Sequence, residues 1–187
     1  MKSIIVEGNV PLIGTVNVSG SKVSSVYLIY ASLYSNNDII LDNVPQIPYI
    51  QDEIDIVKSI GATVKWITKN TLLINGSTID SYKVPLKNAK KLRTVYLLTG
   101  VLLHRFGKAY LPKISESLTN ISPINRILET WDSLQIIYHE DEDYYMLSSE
   151  NLKSGMVNFK NVSNIASAHV LILASSLSGD TVINNIS

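Results

Sequence analysis

Cysteine is absent from the 187-residue chain, which removes disulfides, thiolate chemistry and Cys-ligated metals together. Net charge is absent as well. Sixteen Lys and Arg balance sixteen Asp and Glu, so no general electrostatic pull toward nucleic acid or an anionic membrane follows. Long apolar runs are missing too: the longest, Val95 to Leu103, is too short to cross a bilayer and ends in His104-Arg105. The N-terminal residues alternate apolar and polar up to Pro11 without the apolar block of a secretory signal. A soluble, cytoplasmic protein with no nucleic-acid or membrane partner is therefore expected. His104, His139 and His169 have no partner at ligand spacing, so neither a metal nor a cofactor is expected. Walker, Rossmann and catalytic-triad patterns do not occur. What is present is apolar: 45% hydrophobic against 17% charged residues, enough to bury a core.

The apolar periodicity predicts an α/β (α+β) chain. Two strand-like pieces, Ser3 to Val6 and Gly14 to Val18, precede a Ser/Gly turn and a helix that begins after Lys22 and ends near Ser35. Asp38 to Val44 reads as a strand. Ile54, Val57 and Ile60 share a helical face that Gly61 closes. Thr63 to Ile67 and Thr71 to Ile74 flank Lys69-Asn70 as a hairpin. The order β-α-β-α-β-β then returns: strand Tyr82 to Val84, helix Ala89 to Leu103, strand Ala109 to Leu111, helix Pro123 to Leu134, hairpin Ile136 to Leu147. A third copy starts with strand Met156 to Phe159, helix Ala166 to Leu177 and strand Thr181 to Ile183. Corresponding strand exits, Val44, Ile114 and Ile186, are 70 and 72 residues apart (114 − 44; 186 − 114), the scale of a supersecondary unit. Two units (about 15–76 and 82–149) are complete and a third (156–187) is truncated, so self-association through that third unit is expected.

Val16-Asn17-Val18-Ser19-Gly20-Ser21-Lys22 is the stretch with chemical character. Ser24 and Ser25 suit an N-cap, and a Lys beside a helix N-terminus adds positive charge where the macrodipole is already positive. That arrangement fits an anion site; the alternative is a solvated Lys in a turn.

Taken together, Gly14 to Lys22, Leu41-Asp42-Asn43-Val44-Pro45, Ile60 to Val64, Lys91-Leu92-Arg93, Arg105-Phe106-Gly107, Leu111-Pro112, Lys160 to Ser163 and Gly179 to Ile183 resemble the enolpyruvyl transferases. Within that family the UDP-N-acetylglucosamine 1-carboxyvinyltransferase branch, which serves peptidoglycan synthesis, is the nearer and the shikimate branch the more distant. The resemblance implies inside-out α/β barrels of βαβαββ units with a cleft between two of them. Residues 22–187 would be an incomplete first barrel, and residues 1–21 a strand pair belonging to a second. It also implies phosphoenolpyruvate and a UDP-sugar as ligands, and a second-barrel polypeptide as a partner.

Residue by residue, the resemblance makes Lys22 a contact to both ligands and Arg93 a grip on phosphoenolpyruvate, for which a guanidinium fork is suited; the alternative for Arg93 is a solvated basic turn with Lys90 and Lys91. Pro123, Ile124 and Asn125 occupy the uracil-contacting segment, and Val162 and Ser163 the diphosphate turn. Several family features are replaced. Val23 stands for an Asn, Asn125 for an Asp, Asn161 for a Lys, Ile165 for a Gly and Ser122 for the Arg before Pro123. Ser115 or Ser117 stands where the family has its general acid, a task no hydroxyl performs near neutral pH; Glu116 is the nearest carboxyl, with an exposed loop residue as its alternative reading. Three functions remain open: an enolpyruvyl transferase domain inactive by itself, a non-catalytic remnant or ligand- or partner-binding module, and a diverged transferase with another acceptor.

Overall fold

The structure, a computed structural model, describes residues 3–9, 11, 13–89, 92–114, 124–149 and 152–187. Ser115, Ser117, Glu116, Ser122, Pro123, Lys90 and Lys91 lie outside the described residues. The chain forms helix α1 (Lys22–Ser32), strand β1 (Ile39–Leu41), α2 (Pro48–Ser59), and the hairpin β2 (Thr63–Trp66) and β3 (Leu72–Asn75). There follow α3 (Leu86–Ala89), a 3-10 helix (Arg93–Leu97), α4 (Leu98–Phe106), β4 (Lys108–Pro112), α5 (Ile124–Ser133), β5 (Ile137–Glu140) and β6 (Tyr144–Ser148). The last elements are β7 (Met156–Asn158), α6 (Asn164–Ala174) and β8 (Val182–Asn184).

Three sheets result, ordered β1-β3-β2, β4-β6-β5 and β7-β8. The first two are antiparallel, and each contains the expected hairpin, with Val64 opposite Ile74 and Tyr138 opposite Leu147. β7 and β8 are parallel, as a strand-helix-strand crossover requires. In α4 every residue from Leu98 to Leu103 is buried, and so are seven of the eleven residues of α6, whereas Ile40 and Ile137 face outward. Among the described residues the sheets do not join into a closed barrel. No helix among them is long and apolar enough to cross a membrane.

Local chemistry sets the boundaries. Pro48 occupies the first turn of α2, where its missing N–H costs nothing. At the other end Gly61 takes φ +97°, and the bonds Gly61 N to Lys58 O and Ala62 N to Val57 O close a Schellman turn. The core centres on Trp131, fully buried and edge-on to Tyr96, Tyr145 and His169.

Four sequence expectations are corrected. Ser3 to Val6 and Gly14 to Val18 form no strands: they are unpaired, and Ile5, Val16 and Val18 are each at least 85% exposed. Alternation identifies a segment that could pair, but not whether a partner is at hand. The cap of α1 is Ser21, not Ser24 or Ser25; its Oγ accepts from Ser24 N at 3.2 Å. The helix expected from Ala89 to Leu103 is not continuous: residues 93–97 tighten into a 3-10 turn ahead of α4 that presents Thr94 to a buried carboxylate. The strand at Tyr82 to Val84 shrinks to a parallel bridge between Lys83 and Tyr110, since Pro85 has no N–H to extend the ladder.

Candidate anion site

The Lys22 end of α1 is built by backbone approach. A Cβ added to Gly20 would lie 1.5 Å from the carbonyl oxygen of Asn43, so only glycine lets the turn rest on the end of β1. Ser21 then caps the helix, and Ser25 Oγ donates to Ser21 O at 2.7 Å. Lys22 is the first helical residue, no acidic side chain follows it in that turn, and its Nζ stands 4.6 Å above the ring of Tyr49. A cation over an aromatic face is held without being neutralised. Gly20→Ala is expected to displace this turn and lower stability by about 1–3 kcal/mol, read as a shift in the urea midpoint, with the Lys22 end losing its order.

Tyr49 belongs to α2, and one turn further along that helix lies Glu53, fully buried. Glu53 accepts from the Tyr30 hydroxyl of α1 at 2.8 Å and from the Thr94 hydroxyl of the 3-10 helix at 2.7 and 2.8 Å to its two oxygens. Burial raises the carboxyl above its ordinary pKa of 4.5, while the hydroxyls of Thr94, Tyr30 and Tyr49 oppose the shift. Burial and the nearby Glu53 push Tyr49 up to about 12 and hold Tyr30 well above the ordinary tyrosine value. Glu53 thus ties together three elements: α1, which carries Lys22; α2; and the 3-10 helix, which begins with Arg93.

Arg93 is half-buried at that first position. Its charge reaches Tyr96, where it works against the rise caused chiefly by burial. Tyr96 in turn donates to Pro112 O at 3.3 Å, linking the Arg93 turn to the end of β4. Beyond it, Lys113 pairs with Glu140 at 2.9 Å and donates to Asp141 O; the Glu140 hydrogen bond raises its pKa.

A second cluster joins the two other predicted segments. Ile124 and Asn125 open α5, with Asn125 exposed, and Arg126 donates to Val162 O at 3.1 Å. Ser163 caps α6: its carbonyl accepts from Ser167 N at 2.8 Å, and its Oγ lies 3.5 Å from Ala166 N. The segments holding Asn125 and Val162-Ser163 are therefore neighbours. α6 also packs against α1 and the 3-10 helix, so both clusters stand on one helical core. Val23 is half-exposed and offers no polar atom beside Lys22.

Glu53 and Arg126 were not singled out by sequence. Glu53 carried a signal, since it sits on the stripe Ile50-Glu53-Ile54-Val57 where an apolar residue is the rule. Among the described residues no three His, Asp or Glu side chains gather as metal ligands.

Residues 6–187 match the family model for EPSP synthase (3-phosphoshikimate 1-carboxyvinyltransferase). The chain belongs to the EPSP synthase family. Among curated relatives, UDP-N-acetylglucosamine 1-carboxyvinyltransferase 3 of Caldanaerobacter subterraneus subsp. tengcongensis is 27% identical over 99% of this chain and 44% of its own length. UDP-N-acetylglucosamine 1-carboxyvinyltransferase 2 of Listeria innocua is 29% identical over 97% of the chain and 43% of its own length. The chain thus spans less than half the length of these relatives. In fold it resembles the enolpyruvyl transferase NikO from Streptomyces tendae, with a TM-score of 0.76 at 18% identity over 92% of this chain and 40% of that one. It also resembles EPSP synthase from Acinetobacter baumannii, with a TM-score of 0.68 at 13% identity over 91% of this chain and 40% of that one.

Proposed function

We propose that this chain is one half of an enolpyruvyl transferase of the UDP-N-acetylglucosamine 1-carboxyvinyltransferase kind, able to hold its anionic ligands and not to turn them over alone. On this reading residues 22–187 are an incomplete inside-out barrel, residues 1–21 belong with a second barrel, and the cleft closes only when that second half is present. The observation that supports it best is the tie from Lys22 through Tyr49 and Glu53 to the Arg93 turn. Family chemistry adds a sugar 3′-hydroxyl to the enol of phosphoenolpyruvate and then eliminates phosphate, so two polyanions must be held side by side by fixed cations. Lys22 would serve both ligands and Arg93 the carboxylate or phosphate of phosphoenolpyruvate. Asn125, Val162 and Ser163, braced by Arg126, would face the nucleotide. No cysteine exists to act as general acid.

Calorimetric titration with phosphoenolpyruvate and UDP-N-acetylglucosamine tests this reading. Lys22→Ala and Arg93→Ala are each expected to weaken phosphoenolpyruvate binding about tenfold to a hundredfold, the worth of one charge-assisted contact. With both ligands present the chain alone is expected to release no phosphate steadily. Absence of binding would remove the ligand-holding role, and steady turnover would remove the half-site reading. The second reading, a non-catalytic relative, draws on Val23, Asn161 and Ile165, where polar, cationic and flexible family positions are replaced; it predicts binding of neither ligand.

A further inference from the structure

The first and third units match element for element at a constant offset. Helices α1 and α6 have eleven residues each, and their caps Ser21 and Ser163 are 142 apart (163 − 21). The left-handed residues Asn43 and Asn185, with φ 56° and 57°, are also 142 apart (185 − 43). By the same offset β1 corresponds to residues at and just before β8, and residues 14–16 correspond to β7 (156 − 14 = 142). β7 pairs in parallel with β8, Met156 opposite Val182 and Asn158 opposite Asn184. The second unit does the same through Lys83 and Tyr110. In the first unit the position is vacant. Sheet order places β1 at an edge, no strand among the described residues pairs with its outer side, and residues 14–18 are exposed.

The linker to the helix has the same length in both units, so length is not what separates them. In the third unit Phe159 is buried, its N–H bonds Asn184 O at 3.3 Å, and Asn185 Nδ2 donates to Phe159 O at 2.8 Å. At the matching position the first unit has Asn17, which is exposed, so no apolar anchor turns the strand back onto its own sheet. Gly20, resting on the Asn43 carbonyl, carries the chain over the end of β1 instead. Beside that crossing lies an open groove of about 280 Å³, lined by Gly20, Ser21, Leu28, Ile40, Leu41 and Asn43. Leu28 and Ile40 expose more than half their surface there. An unpaired strand edge and an unpaired, apolar-alternating strand thus occur in one chain, each of the type the other lacks.

We propose that two copies of this chain exchange these strands. Residues 14–16 of each copy add in parallel to β1 of the other, with Gly14 opposite Ile40, Thr15 opposite Leu41 and Val16 opposite Asp42. The exchange is reciprocal and closes on a two-fold axis, so it ends at a dimer. Val16 and Val18 reach the groove where Leu28 and Ile40 are uncovered. The proposal does not rest on the catalytic reading: it describes this chain without a second barrel, which would otherwise take up residues 1–21.

The absence of native cysteine makes the test direct. Val16→Cys and Asp42→Cys chains, mixed and mildly oxidised, are expected to give a disulfide-linked two-chain species joining one chain of each kind. The unaltered chain is expected to sediment as a dimer, and Val16→Pro, which cannot complete a parallel ladder, to raise the dimer dissociation constant at least about tenfold with an unchanged circular dichroism spectrum. A monomer at every concentration would overturn the exchange. So would a Val16→Cys/Asp42→Cys chain that links only within itself, or a proline variant that dimerises like the parent.

Discussion

Glu53→Ala is expected to lower the free energy of unfolding by about 3–5 kcal/mol, a large share of the stability of a chain this size. The change strips the acceptor from the buried hydroxyls of Tyr30 and Thr94, each unsatisfied group costing about 1–3 kcal/mol, and leaves a cavity where α1, α2 and the 3-10 helix meet. Urea unfolding reads it as a lower midpoint at constant slope; a loss under about 1 kcal/mol would mean that the three helices are held by apolar contacts alone. Glu53→Gln separates charge from shape. Because the folded carboxyl is raised above 4.5, the folded state favours the neutral form. The contribution is therefore fully present below pH 4.5 and is lost as pH rises through the raised folded value. Glutamine cannot ionise, so the variant is expected to lose this decline at rising pH while keeping the acid-side stability.

His169 is expected to dominate the opposite limb. It is fully buried in α6, its Nε2 accepts from Trp131 Nε1 at 3.3 Å, and Nδ1 has no partner among the described residues. With Nε2 accepting, the single ring proton sits on Nδ1. Burial drives the pKa from 6.5 down to about 3. The folded ring stays neutral while the unfolded one takes up a proton, so stability falls as pH drops below 6.5, at up to about 1.4 kcal/mol per unit, until the folded value is reached. By pH 4.5 the loss from this residue is about 3 kcal/mol. His169→Gln, which keeps an acceptor for the indole, is expected to flatten the limb between pH 6.5 and 3 in thermal or urea unfolding. An acid limb as steep as the parent's would assign the sensitivity elsewhere. Just above pH 4.5 the two residues pull in opposite directions, so the single variants shift the optimum to opposite sides.

Legibility in the sequence followed partner distance. The α2 stripe and Gly61 are local, and the helix and its end were readable to within a residue or two. Both hairpins were readable for the same reason. The N-terminal strands were misread because alternation says nothing about whether an edge is available, and the helix around Arg93 because a 3-10 turn was set by Glu53, forty-one positions away in sequence. At the candidate site, Lys22 stood out through the Ser-Gly turn beside a helix start. The Asn125 and Val162 segments were named separately, but their meeting depends on Arg126, a long-range bond that no spacing encodes.

The wholly buried run Leu98 to Leu103 in α4 also gives the molecule an internal clock. Its amides can meet deuterium only when the whole chain opens, so their exchange rates report global unfolding. The amides on the outer side of β1 lie at an uncovered edge and exchange by local fraying. Comparing the two at rising protein concentration separates events at that edge from changes in the stability of the core, with no ligand, label or substitution required.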